Sequence, residues 1–332
     1  MLGYVSVSKP TKPLSFGICS ILVGFFISGA AMKYAKPALT PEQQADLILQ
    51  RGLIADRDTL IQRLQSVSYY RLSAYWYPFR QAGSEQLSPG VTLDVVWDRY
   101  VFDRQLRLLV MDVIERVEIA IKTCLVIEHT LQHGPFGYLD RVNLPGMTID
   151  QHRTFLEKIR NGAKNSREEF VLHFNAKYTS ETDLPLWMAA EVMTFGGMLS
   201  LFRHADKAIK GKIAAMYGVS DDVLESWLLT LNVVRNMCAH HARLWNRGFA
   251  GKEFAVPRKH KHPAWHVPVA VPNDRMFGVL TLLRYLQGRV APQSQWDERF
   301  RKLLTDHPAI PIHLMGFPAD WMTCAIWKKQ TT

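Results

Sequence analysis

The sequence predicts an all-α protein, and three observations lead to that prediction. Residues 93–133 contain neither glycine nor proline, and their apolar residues recur at steps of three and four, which is the period of an amphipathic helix. Further stretches of the same kind follow, bounded by glycine, proline or capping residues. Before Gly248, no stretch has a strand pattern of comparable strength.

The first helices are predicted from their start and stop signals. Thr40, Pro41 and Gln43 are typical of a helix start, and the helix should continue through Arg51 until Gly52 ends it. A second helix is expected at about 56–68. An aromatic segment follows at residues 69–79, before a turn rich in Gly, Ser and Pro.

The long helix over 93–133 is expected to carry a polar face with Asp103, Arg104, Arg107, Glu115 and Glu118. Shorter helices are predicted at about 149–162, 166–178, 185–204 and 206–217. Ser220 should cap a helix over 221–247, with Gly248 ending it. Residues 251–272 should form an extended basic connection, followed by helices at about 274–288 and 292–306 and an apolar tail that packs back.

Composition restricts the class of protein and its partners. Of the 332 residues, 48% are hydrophobic, which is ample for a large core. The net charge of +10 favours a polyanionic partner such as nucleic acid or an anionic membrane. The four cysteines are far apart without a C-x-x-C pair, which argues against a zinc ribbon or a disulfide framework and fits a cytoplasmic protein.

The N-terminal segment, residues 1–31, requires a separate interpretation. Residues 14–32 form a run of 19 without a charge, which is typical of a signal peptide or a marginal membrane anchor. The alternative is that translation starts at Met32, because the residues after it begin as a soluble protein would. A membrane partner is expected only if residues 14–32 are real.

The densest group of chemically useful residues is the stretch 234–247, VRNMCAHHARLWNR. An imidazole can exchange a proton near neutral pH, and a guanidinium can hold a phosphate through two donors. On one continuous helix, four polar side chains would share the face opposite the core stripe: Asn236, His240, Arg243 and Arg247. His240 should therefore be available to a ligand or to a second subunit.

Arg235 falls at the edge of the apolar stripe of that helix. A guanidinium there must be paired or must line a cleft, because burying it alone is costly. Glu115 and Glu118 of the long helix are candidate partners. The alternative to a functional site is a structural ion pair at Arg235 beside a solvated polar face.

The string R-N-x-x-A-H-H-x-R-L-W-N-R over 235–247 resembles the hallmark of the Abi family, bacterial abortive-infection proteins within the HEPN superfamily. The resemblance covers residues 32–327, because other matching segments occur in the right order. These segments are KPxLT with Gln43 and Gln44, RGL at 51–53, YYRLSAYW at 69–76, YxFDRxLR at 100–107, LPxW at 184–187 with Glu191 and Phe195-Gly196, and MGFPxxW at 315–321.

This resemblance implies a HEPN-like helical bundle over 32–250, with residues 251–332 packing on the same domain. It implies a metal-independent ribonuclease without cofactors, in which the 2′-hydroxyl of RNA attacks the adjacent phosphate. His240 would be the general acid/base and Arg235 would bind the phosphate. Asn236 would orient the imidazole or the phosphate. Substrate contacts would come from His241, Arg243, Arg247 and Arg71.

The resemblance also implies a homodimer whose active site combines both protomers. A neutralising RNA or an antitoxin is a candidate partner. Some HEPN toxins carry a modified tyrosine two residues after the histidine; Ala242 occupies that position here, so this control is not implied. A non-catalytic RNA-binding module is the competing interpretation, and a membrane-anchored effector is a third.

Two weaker patterns leave alternatives open. The aromatic residues of 69–79 could stack RNA bases around Arg71 or could pack in the core. The three histidines of 259–266 could suggest a metal site, but a solvated basic loop is favoured in the absence of cysteine or paired carboxylates. Arg258, Lys259 and Lys261 of that loop are candidates for phosphate contacts.

Overall fold

The computed structural model describes residue 34 and residues 36–328. Residues 41–328 belong to one compact unit. The part of the chain described contains twelve α-helices, several short 3-10 turns and three isolated β-bridges, without a strand. The prediction of an all-α fold is therefore confirmed.

The helices follow the sequence signals closely in the first half of the chain. Their bounds are α1 Pro41–Gln50, α2 Arg57–Ser66, α3 Tyr69–Trp76, α4 Leu93–His133, α5 Ile149–Asn165, α6 Glu169–Lys177, α7 Leu186–Val192, α8 Phe195–His204, α9 Lys207–Met216, α10 Asp221–Ala239, α11 Met276–Val290 and α12 Trp296–Asp306. The single helix expected at 185–204 is two helices, α7 and α8, with residues 193 and 194 between them.

Helix α4 is the central element of the fold. It has 41 residues, about 60 Å at 1.5 Å per residue. The Thr92 side chain accepts a hydrogen bond from the Val95 amide (3.3 Å), and the helix ends before Gly134, which has a φ of +77°. Helices α3, α9, α10, α11 and α12 all pack on α4.

The C-terminal helices are joined to α4 by specific polar contacts as well as by apolar packing. The Trp296 indole donates to the Leu109 carbonyl (2.8 Å), and His307 Nδ1 lies 2.5 Å from an Asp98 carboxylate oxygen. The apolar tail ends with Trp327, which is fully buried and donates its indole N–H to Thr281.

Two expectations from the sequence are wrong, one about the polar face of α4 and one about the end of α10. Asp103 and Arg107 were expected on the polar face of α4, but both are buried. The helix expected over 221–247 ends at Ala239. The two errors are connected, because Asp103 and Arg107 hold the segment that follows Ala239.

No helix in the described part of the chain combines the length and apolar character needed to cross a membrane. The apolar run 14–32 lies outside the described residues, so its interpretation remains a prediction.

Near its C-terminal end, α4 buries a histidine without a hydrogen-bond partner. His129 is fully buried, and neither ring nitrogen is bonded to another described residue. Its ring lies 4.8 Å from the ring of His133, whose Nε2 contacts Asp206 (3.0 Å). Burial, reinforced by His133, lowers the pKa of His129 to about 4.

This burial predicts a loss of stability in acid. Between about pH 6.5 and pH 4 the unfolded chain binds a proton at His129 that the folded chain does not, which removes about 3 kcal/mol from the free energy of unfolding. Stability from this residue is complete above pH 6.5 and falls as the pH approaches 4. Urea unfolding of the wild type and of His129→Phe across this range measures the effect; parallel curves for the two proteins would contradict it.

Candidate active site at the end of helix α10

Helix α10 buries one face and leaves the other accessible. The buried side chains are Leu224, Trp227, Leu228, Thr230, Leu231, Val234 and Cys238. Five of these form the helical part of the core stripe that the sequence predicts: Leu224, Leu228, Leu231, Val234 and Cys238. The predicted stripe also included Ala242 and Trp245, which lie beyond the helix. Asn236 is exposed on the other face, and Arg235 is half-buried at the border between the two faces. Of the four residues of the predicted polar face, Asn236 therefore lies within the helix.

The helix ends in a Schellman turn. His240 is the C-cap residue, and its amide donates to the Asn236 carbonyl (3.0 Å). The His241 amide then bonds to Cys238 (2.9 Å) and the Ala242 amide bonds to Met237 (2.8 Å), the pair of bonds that defines this motif. His241 has a φ of +56°, and among the described residues it is the one non-glycine with a positive φ.

The turn corrects the predicted arrangement of the site. His240 lies one helical turn after Asn236, so these two residues remain neighbours as predicted. Arg243 and Arg247 lie beyond the helix, and they do not continue the face of Asn236 and His240. Both imidazoles, His240 and His241, are exposed.

A buried carboxylate holds the chain after the turn. Asp103 is fully buried and accepts hydrogen bonds from the amides of Leu244 (3.0 Å) and Trp245 (2.7 Å). It also accepts the Tyr75 hydroxyl (2.7 Å) and pairs with the Arg107 guanidinium (2.5 Å). The bond from Tyr75 therefore links α4 to α3, and the two amide bonds link α4 to the segment after α10. The pair with Arg107 lies within α4.

Tyr75 and Arg107 both donate to Asp103 in this network. Burial, with the charge of Asp103, raises the pKa of Tyr75 well above its usual value, so its hydroxyl stays protonated and donates. Arg107 also donates to the Ala242 carbonyl (3.3 Å). The sequence placed Asp103 and Arg107 on the polar face of α4, because i, i+4 spacing alone does not distinguish a buried pair from an exposed one. Asp112 and Arg116 have the same spacing on the same helix, and both are partly exposed.

Two arginines that were predicted to contact substrate form a reciprocal brace. Arg71 of α3 donates to the His241 carbonyl (2.5 Å), and Arg243 donates to the Ala74 carbonyl of α3 (2.6 Å). Each guanidinium thus uses at least one donor to hold α3 against the turn. Arg247 is half-buried just before Gly248, where an isolated bridge pairs Gly248 with Arg275.

Arg235 lines an open groove of about 450 Å³ between α10 and α4. Its Nη1 lies 3.4 Å from Asn236 Oδ1. In the described part of the chain it forms no ion pair within 4.0 Å, so the alternative of a structural ion pair does not apply. The other lining residues come from α4: Leu108, Met111, Asp112, Ile114, Glu115 and Glu118.

Glu115 and Glu118, the candidate partners, therefore share the groove with Arg235 without closing a salt bridge. The pKa of Glu118 is raised mainly by burial, while the charges of Lys122 and Arg235 oppose that rise. The expectation that Arg235 is either paired or lines a cleft is resolved in favour of the cleft.

Other reactive groups near the site have limited chemistry. Burial raises the pKa of Cys238 to about 12, so its thiol stays protonated and is a poor nucleophile. Among the described residues, no group of three or more His, Cys, Asp or Glu side chains is arranged to hold a metal ion. In the basic loop, His266 Nε2 lies 2.7 Å from the Pro257 carbonyl, while Arg258, Lys259 and Lys261 are exposed.

Part of the chain matches a known protein family. Residues 62–246, more than half of the chain, match the family described as Abi-like protein. This range includes α3, α4, α10 and the turn that Asp103 holds. None of the curated proteins and none of the solved structures compared with the chain matches it.

Replacing the buried carboxylate should destabilise the fold. In Asp103→Asn, one amide N–H₂ must face groups that donate, and Arg107 loses its counter-charge, so we expect a cost of about 3–5 kcal/mol in the free energy of unfolding. Urea unfolding at pH 7 measures it. Asp306→Asn is the control, because the exposed Lys302–Asp306 pair should contribute less than about 1 kcal/mol. Similar losses in both variants would rule out the proposed role of Asp103.

Replacing His241 by glycine should leave the fold intact or stabilise it by up to about 1 kcal/mol, because glycine adopts a positive φ without steric cost. The bond from Arg71 is to the backbone and is retained. His240→Gly is the matched control, since φ is −89° at that position and glycine gains nothing there. Thermal unfolding compares the two; a larger loss for His241→Gly than for His240→Gly would contradict the analysis.

Proposed function

This chain belongs to the Abi-like family, which suggests abortive infection and phage resistance, and from that premise we propose that it is a metal-independent endoribonuclease of the HEPN type. The observation that carries the proposal is the exposed His240 imidazole at the end of α10, one turn after Asn236. The chain that follows His240 is held at Leu244 and Trp245 by the buried Asp103. A fixed scaffold with an accessible acid/base group is what general acid–base catalysis requires.

In the proposed reaction, the 2′-hydroxyl of a ribose attacks the adjacent phosphorus and loses its proton to a base. The bond from phosphorus to the 5′-oxygen breaks, and that oxygen gains a proton from an acid. The products are a 2′,3′-cyclic phosphate and a 5′-hydroxyl. His240 exchanges one of these protons, because imidazole is the side chain best suited to do so near neutral pH.

Arg235 and Asn236 have supporting roles in this proposal. The Arg235 guanidinium would neutralise the charge that develops on the phosphate oxygens. Its Nη1 donates to Asn236 Oδ1 at 3.4 Å, and it forms no ion pair with another described residue, so its other donors remain available. Asn236 would orient either the guanidinium or the His240 imidazole.

A homodimer is part of the proposal because of where the two groups lie on α10. Arg235 and His240 are five residues apart, which is about 140° around a helix. Arg235 projects into the groove on the α4 side, whereas His240 ends the helix. A second copy of α10 would bring the His240 of one protomer towards the Arg235 of the other. A neutralising RNA or an antitoxin that covers this site would hold the toxin inactive.

The test is RNA cleavage by the purified full chain in EDTA. We expect fragments with 2′,3′-cyclic phosphate and 5′-hydroxyl ends, and a loss of rate of about 10²- to 10⁴-fold in His240→Ala. His173→Ala, at an exposed histidine of α6, is the matched control and should cleave at the wild-type rate. If the wild type and both variants bind RNA but leave it intact, the ribonuclease proposal is wrong. A non-catalytic RNA-binding module would then be the better interpretation.

A further inference from the structure

The aromatic segment 69–79 is divided between the core and the surface. Tyr75 and Trp76 are buried, whereas Tyr70 and Tyr77 are 84% and 44% exposed. The exposed pair is seven residues apart, so both rings lie on the same face of α3. Neither of the two interpretations of the segment is complete, because one half packs and the other half is presented to solvent.

The distance between the exposed rings is matched to nucleic acid bases. Tyr77 keeps helical backbone angles (φ −51°, ψ −42°), and its amide bonds to the Ser73 carbonyl. Seven helical residues therefore separate the rings by about 10.5 Å along the axis. Stacked nucleotides repeat every ~3.4 Å, so two bases stacked between two rings need about 10 Å. Only the small Ser73 and Ala74 lie between the rings on this face.

The turn with the two histidines contacts α3 between these tyrosines. Arg71 bonds to the His241 carbonyl, and the Ala74 carbonyl accepts from Arg243. Positions 71 and 74 both lie between 70 and 77 along the helix. The aromatic face is therefore adjacent to the proposed catalytic imidazoles and held to them by two charged hydrogen bonds.

The charge around this face also favours a polyanion. Residues 69–79 contain no carboxylate. Arg71 and Arg243 flank the face on one side, and the Arg80 guanidinium lies 5.3 Å from the centre of the Tyr77 ring. Two carboxylates are connected to this segment by hydrogen bonds, and both are paired. Asp103 accepts from Tyr75 and pairs with Arg107, and Glu85 pairs with Arg51, which donates to Tyr69.

We propose that Tyr70 and Tyr77 stack two consecutive unpaired bases of a single-stranded RNA, next to the bond that is cut. This inference rests on the proposed ribonuclease function and specifies its substrate class. Bases in a duplex are stacked and paired within the helix, so they cannot enter the space between the two rings. The face thus selects unpaired RNA and does so with little preference for sequence, because every base has a stacking surface.

The test measures binding without cleavage, in the full chain carrying His240→Ala. The probe is a single-stranded RNA oligonucleotide with 2-aminopurine, whose fluorescence is quenched on stacking. Tyr70→Ala and Tyr77→Ala should each weaken binding by about 10- to 100-fold and restore fluorescence, while Tyr70→Phe should bind like the parent. Tyr178→Ala is the matched control, because Tyr178 is 45% exposed on another part of the surface and should change nothing.

The outcomes separate this inference from the proposed function. Unchanged affinity and quenching in Tyr70→Ala and Tyr77→Ala would overturn the stacking face, even if the wild type cleaves RNA. Equal loss of affinity for a blunt RNA duplex would also overturn it, since the tyrosines would then act on any polyanion. If Tyr70→Ala and Tyr77→Ala lose affinity for single-stranded RNA alone, the stacking face is supported. This result would hold whether or not the wild type cleaves RNA.

Discussion

The arrangement of this protein depends on the buried carboxylate of Asp103. A buried charge is costly unless it is paired and fully hydrogen-bonded. Asp103 meets that condition with one guanidinium, one hydroxyl and two backbone amides. The donors come from three segments, α3, α4 and the chain after α10. The cost of burial is thus offset only when all three segments are in place, which couples their positions.

The turn after α10 is the functional consequence of that constraint. The amides of Leu244 and Trp245 bond to the carboxylate, so these residues cannot continue the helix. The chain leaves α10 at His240 and reverses through His241, which accepts a left-handed conformation. Strained non-glycine residues of this kind concentrate at functional sites. Here the residue with the positive φ is one of two exposed histidines at the turn.

The charges on the two sides of this turn are opposite in sign. On the α4 side, the groove of Arg235 carries Asp112, Glu115 and Glu118. On the α3 side, Arg71 and Arg243 brace the turn beside exposed tyrosines. In the proposed function, the α3 side would therefore hold the body of the RNA. The phosphate that is cut would lie at the groove, where the Arg235 guanidinium is a positive charge among these carboxylates.

The sequence by itself determined the helical class, the bounds of α4 and the core stripe of α10, because helix periodicity and capping are local properties. It also determined that Asn236 and His240 are neighbours, since both lie within the last turn of α10. It failed where a long-range partner decides the outcome. The helical period of α10 continues in the sequence as far as Arg247. The amides of Leu244 and Trp245, however, donate to Asp103, more than 130 residues earlier, and not to carbonyls of a continuing helix. Which tyrosines of 69–79 are exposed, and which carbonyls the arginines reach, likewise follow only from packing between segments distant in the chain.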